Sequence, residues 1–274
     1  MSDGHDGSAI RLVVFDWAGT TVDHGCFAPV RPFIEVFRAH DIELSDAQAR
    51  APMGLAKKDH LQVLFALAEI RAAWRDRHGR DWTEADVQEA YERQFMPLQL
   101  ECVAACSGLI DGLVECVERL RKRGIKIGTS TGYFREAAEL TYEAAARAGY
   151  LPDSNVCPAD VSAGRPAPWM IYKNMERLGV YPPHTVVKVG DTAPDMGEGR
   201  NAGVWTVGVT DSSSDVGLTA AELARLSQRE RTERIARAAR MLKEAGAHEV
   251  MSTVAALPEL LPRIEERLRA GERP

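Results

Sequence analysis

Several residues in this chain have types and spacings suited to reaction chemistry. Asp16 closes the apolar run "IRLVVFD" (Ile10 to Asp16) and is followed by a turn through Ala18 and Gly19, then by two threonines. A carboxylate at a strand end, beside a glycine turn whose backbone N–H groups can face an anion, is suited to attack phosphorus and to ligate a hard cation. Alone, this pattern reads equally well as an ordinary strand-to-turn acid. Thr131, in "STGY", ends a second such run and can offer a hydroxyl to a phosphoryl oxygen. Arg165, in "SAGRPAPW", precedes a helical pattern, where its planar fork can brace nucleophile and phosphate together. "VGDTAPD" supplies Asp191 and Asp195, of which Asp191, at the strand end, is better placed to share a cation with Asp16.

Lys57 lies far from these motifs, in "PMGLAKKDH" (Pro52 to His60). If a helix runs through Met53, then Met53, Lys57 and His60 share one face, an amine beside an imidazole. The plain alternative is a solvated Lys-Lys-Asp turn, since charged runs are usually exposed. A lysine amine condensed with an aldehyde forms an iminium that accepts electrons from a bond breaking at the adjacent carbon, so a C–P bond can be cleaved without protonating an oxygen. Such an amine must be neutral to attack, and a neighbouring cation such as Lys58, or partial burial, would lower its pKa. His60 is either a proton relay or a structural histidine.

These groups need a scaffold. The runs Ile10–Asp16, Ile125–Thr131, Thr185–Thr192 and Val204–Val209, with "EVMST" near Glu249, read as buried strands. Between them lie helical patterns, "DGLVECVERLRKRG", "REAAELTYEAAARAG" and "APWMIYKNMERLG", each ending at a glycine. This alternation predicts an α/β doubly wound parallel sheet, Rossmann-like, with ligands at the carboxyl ends of the strands. Residues 25–105 break it with amphipathic helical patterns and no strand, which predicts an inserted all-helical cap between core segments 1–24 and 106–274. A Ser-rich loop, "TDSSSDVG", leads into charged helices over 211–245, read as a solvated surface excursion.

Bulk properties narrow the class. The 274 residues are 45% hydrophobic and 27% charged with a formal net charge of -6, which gives no reason to expect nucleic acid or an anionic membrane surface as partner. No apolar run approaches a bilayer span, and "MSDGHDGS" carries no signal-peptide pattern, so a cytoplasmic location is expected. Residues 1–9 are expected to be disordered. Five cysteines without a Cys-x-x-Cys pair suggest free thiols rather than a disulfide framework or zinc site. Cys26, close behind the first motif, is either structural or pocket-lining.

The four motifs, in this order, resemble the haloacid dehalogenase superfamily. That resemblance implies phosphoryl transfer through an aspartyl phosphate on Asp16, with Mg²⁺ held by Asp16, the backbone carbonyl of Ala18 and Asp191, and Asp195 in the supporting shell. Ala18 departs from the usual pattern, in which a second aspartate protonates the leaving oxygen. With "FDWAGTTVD-x-GCFAP", "PMGL-x-K-x-DH", "TSTGY" and "AGRP-x-PWM", the chain resembles the phosphonatase branch over nearly its whole length. The implied reaction is hydrolysis of phosphonoacetaldehyde to acetaldehyde and phosphate, in phosphonate degradation, with Lys57 as the Schiff-base lysine. Thr131, Gly132 and Arg165 would bind phosphate, and Met53, Cys26 and Tyr133 would line the pocket, each with packing as its alternative role. A homodimer through the caps is also implied, although the apolar residues of "KDHLQVLFALAEI" could equally pack within one cap. A phosphate ester phosphatase or phosphomutase, and a catalytically silent binding protein, are the competing readings.

Overall fold

A computed structural model describes residues 9–274. The expected disorder at the amino terminus falls almost wholly outside these described residues.

Leu-Val-Val-Phe at Leu12–Phe15 forms β1 with every side chain buried, as a strand covered on both faces requires. Its alternate residues part to opposite sides. Val13 and Phe15 join the apolar cluster beneath Leu113, Leu120, Leu261 and Ile264, while Leu12 and Val14 pack with Ile171 and Ala202. The remaining strands are β2 (Lys126–Ser130), β3 (Ser154–Val156), β4 (Val186–Gly190), β5 (Trp205–Val209) and β6 (Glu249–Met251). They form one sheet in the order β3-β2-β1-β4-β5-β6, and every pairing is parallel. The chain order reverses at β1, the position at which doubly wound sheets open a crevice for ligands. Phe15 is in register with Thr129 and Val189, so Asp16, Ser130 and Gly190 reach the carboxyl edge together.

β3 was not foreseen, because Ser-Asn-Val carries no apolar run. Its Asn155 Oδ1 accepts bonds from Trp17 Nε1 at 3.1 Å and Thr129 Oγ1 at 2.7 Å. Trp17 is fully buried and meets Tyr150 edge-on at 5.3 Å, a packing role.

Between β1 and Gly108 come six α-helices and no strand: α1 (Phe27–Arg38), α2 (Asp46–Arg50), α3 (Lys57–Ala66), α4 (Ala68–His78), α5 (Glu84–Glu89) and α6 (Met96–Cys106), the last two joined by a π-turn at Ala90–Phe95. They enclose their own core of Phe33, Phe37, Phe65, Trp74 and Phe95. The long amphipathic pattern from Lys57 to Gly79 breaks at Leu67, whose extended ψ of 135° separates α3 from α4. Its apolar residues Leu61, Leu64, Phe65 and Ile70 are buried within this segment, leaving Val63 at 42% exposure. The expected helix through Met53 does not form: α3 begins at Lys57, after a turn in which Gly54 takes φ +97°.

After the helical segment follow α7 (Leu113–Lys122), α8 (Arg135–Arg147), α9 (Trp169–Leu178), α10 (Ala193–Ala202), α11 (Ala220–Arg225), α12 (Gln228–Glu244) and α13 (Leu257–Arg269). α12 exposes most of its charged residues and buries Ala238 and Leu242. The serine cluster before it corrects the reading of a solvated loop. Ser212, Ser213 and Ser214 are all buried; the Ser212 hydroxyl and the Ser214 N–H serve the site loops, while the Ser213 hydroxyl accepts from Val216 N within its own loop. Among the described residues no helix is long and apolar enough to cross a membrane.

The entry to the helical segment is held by Asp23, which sequence reasoning did not single out. Its two carboxylate oxygens accept from Phe27 N at 3.0 Å and Ala28 N at 2.8 Å, satisfying donors in the first turn of α1. Burial nevertheless pushes its pKa up to about 6, against those bonds. Because the folded value lies above the unfolded one, this group contributes stability that is lost as pH rises from about 4 through about 6. Urea denaturation of Asp23→Asn across that window is expected to show a flatter pH dependence than wild type, and an identical slope would contradict this account.

Candidate active site

Asp16 sits one residue beyond β1, its N–H bonded to Val189 O at 2.9 Å and its carbonyl accepting from Thr21 Oγ1 at 2.9 Å. Those bonds fix the backbone, so the carboxylate direction is set by Arg165. Arg165 Nη2 donates to Asp16 Oδ1 at 2.8 Å and to Ser130 O at 2.6 Å. Nη1 faces Asp195 Oδ1 at 2.9 Å and Nε faces Glu198 Oε2 at 3.0 Å. Arg165 itself follows α8 and β3 in a loop that carries a cis bond to Pro166. The network extends to Lys188, fully buried in the middle of β4, whose Nζ reaches Ser130 Oγ at 2.8 Å, Asp195 at 3.0 Å and Glu198 at 3.3 Å. Lys188, Glu198 and Ser130 were all missed. A lysine inside the apolar run "VVKVG" was the available signal, since a strand buried on both faces keeps a charge only with partners.

Asp191 follows β4, and its oxygens accept from Thr20 Oγ1 at 3.2 Å and Ser214 N at 2.8 Å, with Cys26 Sγ at 3.5 Å. The loop after β1 approaches so closely that a Cβ on Gly19, which has φ +82°, would lie 2.5 Å from both Asp191 Oδ2 and Cys26 Sγ. Ser212 Oγ ties down the Gly19 carbonyl at 2.6 Å. Asp195, in the first turn of α10, accepts from Thr192 N at 3.2 Å. One carboxylate oxygen from each of Asp16, Asp191 and Asp195 lies within 4.8 Å of the others.

Burial pushes Asp16 upward against the pull of Arg165, and Asp191 well upward with help from the charges of Asp16 and Asp195. Burial acts the same way on Asp195, but Arg165 and Lys188 outweigh it and hold that carboxyl low. Of four buried carboxyls, Asp16, Asp195 and Glu198 pair with two cationic groups, Arg165 and Lys188, while Asp191 pairs with neither. A crowded, oxygen-only donor set with a deficit of positive charge fits a hard divalent cation.

From the other side the turn before α3 closes over these groups. A Cβ on Gly132 would stand 2.2 Å from Leu55 O, and one on Gly54 2.2 Å from Thr192 Oγ1. Arg165 Nη1 also reaches toward Gly54 O at 3.4 Å. The turn brings Lys57 to the pocket at 4% exposure, its Nζ 3.8 Å from Met53 Sδ and 5.3 Å from the Tyr133 ring centre. Its pKa falls to about 8, chiefly through burial, which outweighs the opposing charge of Asp16 and is assisted by Arg165. Burial is therefore the agent among the two expected, and Arg165 rather than Lys58 is the assisting cation.

Asp16, Ala18, Lys57, Thr131, Tyr133 and Arg165 surround a cavity of about 20 Å³, with Cys26, Met53 and Gly132 also in its wall. That is room for about one water. A larger cavity of about 550 Å³ lies alongside and shares Met53 and Thr192 with it. Thr131 Oγ1 accepts from Tyr133 N at 3.1 Å. Burial raises the Cys26 and Tyr133 pKa values far above their ordinary ones, so both are neutral wall groups. His60 does not line this cavity. Its Nε2 lies 2.9 Å from Ala49 O, its ring stacks on Phe33 at 3.8 Å, and burial followed by the charge on Lys57 keeps its pKa well below 6.5.

A buried carboxylate braced by a buried arginine, beside a cluster of acids on a sheet of this strand order, matches what comparison with known proteins returns. A family model described as haloacid dehalogenase-like hydrolase matches residues 10–203. The phosphonoacetaldehyde hydrolase of Nitratidesulfovibrio vulgaris is 44% identical over 270 residues, which cover 98% of this chain and 96% of that protein. This chain belongs to the phosphonoacetaldehyde hydrolase family. A bifunctional phosphonoacetaldehyde hydrolase/aminoethylphosphonate transaminase of Clostridioides difficile is 46% identical over 94% of this chain, which spans 41% of that longer protein. The crystal structure of a phosphonoacetaldehyde hydrolase-like protein from Oleispira antarctica superposes with a TM-score of 0.95 at 38% identity, covering both chains completely. The family is one of hydrolases, which removes the reading of a catalytically silent protein.

In this hydrolase, the contact at Gly132 joins the helical segment to the sheet edge. Gly132→Ala is expected to displace the Leu55 carbonyl and slow turnover about 100-fold. The thermal unfolding temperature is expected to fall as well, because the atom that must yield is backbone. Unchanged turnover would mean that the Leu55 contact does not position the site.

Proposed function

We propose that this chain hydrolyses the C–P bond of phosphonoacetaldehyde to acetaldehyde and phosphate, in phosphonate breakdown. The observation that carries the reading is the pairing of Asp16 with a buried Lys57, its pKa near 8, around one small cavity. Ala18 stands where an acid would have to protonate a leaving oxygen, and the relatives' names support the same substrate.

The neutral Lys57 amine adds to the aldehyde carbon and loses water, leaving an iminium. Asp16 attacks phosphorus, and the electron pair of the breaking C–P bond flows into the iminium to give an enamine. Protonation of the enamine and hydrolysis of the resulting imine release acetaldehyde and the free amine. A second water hydrolyses the aspartyl phosphate, so the balance is one water consumed per substrate. Arg165 holds Asp16 on its line of attack, and the Thr131 hydroxyl and Gly132 N–H serve the phosphoryl oxygens. Mg²⁺ bound by Asp16, Asp191 and the Ala18 carbonyl, with Asp195 in support, would offset negative charge on the transferring group. Cys26, Met53 and Tyr133 exclude water around the amine. His60 acts by position, tying the start of α3 to the end of α2.

Borohydride reduction with phosphonoacetaldehyde present, followed by peptide mass mapping, is expected to place the adduct on Lys57. Asp16→Ala should still form it while releasing no phosphate. An adduct confined to Lys58, or none in either protein, would reject the Schiff-base route.

A further inference from the structure

Arg50 lies outside the catalytic cavity, yet three parts of the chain meet at its guanidinium. It ends α2, where Asp46 one turn earlier pairs with Nε at 2.5 Å and aims the side chain. Nη1 then donates to Gly25 O at 2.6 Å, in the connection leaving the sheet, and faces Ser214 O at 3.2 Å, in the serine loop. The guanidinium carbon stands 5.3 Å from the Phe27 ring centre, and a Cβ on Gly217, at φ +63°, would press on it at 3.1 Å.

Both carbonyls lead onward to the acids. Ser214 donates its own N–H to Asp191 Oδ2 at 2.8 Å. Gly25 N–H donates to Ser212 O at 2.9 Å, and the Ser212 hydroxyl holds Gly19 O at 2.6 Å. In the opposite direction, Arg50 ends α2, from which a turn carrying Met53 leads to Lys57 at the start of α3. Along this flank the helical segment and the sheet domain are separated by the 550 Å³ cavity, lined by Asp46, Arg50 and Met53 on one side and by Thr192, Ser214 and Arg237 on the other. A flank that is bridged across a cavity rather than packed depends on the bridge for its alignment.

We propose that Arg50 is a positioning residue that latches the Lys57-bearing turn to the serine loop holding Asp191, so that amine and nucleophile are presented together. The inference rests on the function proposed above, and its test separates the two. Hydrogen–deuterium exchange, which needs no substrate, and single-turnover phosphate release from phosphonoacetaldehyde would be measured on wild type, Arg50→Gln and Arg50→Lys. Arg50→Gln is expected to slow phosphate release about 10- to 100-fold. It should also speed exchange over residues 46–60 and 212–217 while leaving β1 and β4 protected. Arg50→Lys keeps one donor and should recover part of both effects. Asp46→Asn, which loosens only the aim at an exposed position, should show both in smaller measure and serves if Arg50→Gln fails to fold. Exchange or release indistinguishable from wild type would overturn the latch. Failure of wild type to release phosphate would instead overturn the proposed substrate and leave the exchange result to judge Arg50.

Discussion

The arrangement depends on closing a helical turn over a sheet edge tightly enough to desolvate a lysine. A primary amine in water is almost wholly protonated at neutral pH, and only removal of its hydration or a nearby positive charge makes the neutral form accessible. Here the turn at Gly54 and Leu55 seats against Gly132 and Thr192 with no space for a side chain at either glycine. Lys57, two residues further on, is thereby enclosed beside Asp16. The approach that brings the two side chains together is also what shifts the amine toward its neutral form.

Such closure would be costly if the underlying acids were unbalanced. A buried carboxylate pays heavily for lost solvation, and partial pairing is worse than none. Arg165 and Lys188 divide the work: Arg165 spans Asp16, Asp195 and Glu198, and Lys188 holds Asp195, Glu198 and the Ser130 hydroxyl from beneath. Asp191 lies apart from both cations, takes its bonds from Thr20, Ser214 and Cys26, and is pushed furthest toward its neutral form. The unbalanced side of the cluster is therefore the side where a bound cation would be most effective.

The sheet, and which side chains gather at its edge, were legible because they follow short-range rules. Short apolar runs such as "LVVF" and "VVKVG", bounded by turns and alternating with helical patterns, read as buried parallel strands, and strand ends of one sheet converge. What escaped was long-range. β3 has no apolar pattern, and its identity depends on pairing with β2. The serines at 212–214 look like any polar loop, yet their partners, Gly19 and Asp191, lie far away in sequence. The helix expected through Met53 gave one right neighbour for Lys57, Met53, for the wrong reason, and did not bring the His60 imidazole to the cavity. A turn at Gly54, rather than helical spacing, places Met53 Sδ near the amine.

The central claim is that enclosure poises Lys57, and it can be tested on the resting protein by a heteronuclear NMR titration of the Lys57 side chain, assigned by comparison with Lys57→Arg. The account predicts a midpoint near 8. A midpoint at the ordinary lysine value of about 10.4 would contradict it, because the amine would then be hydrated and the turn would not be closed over the acids as described.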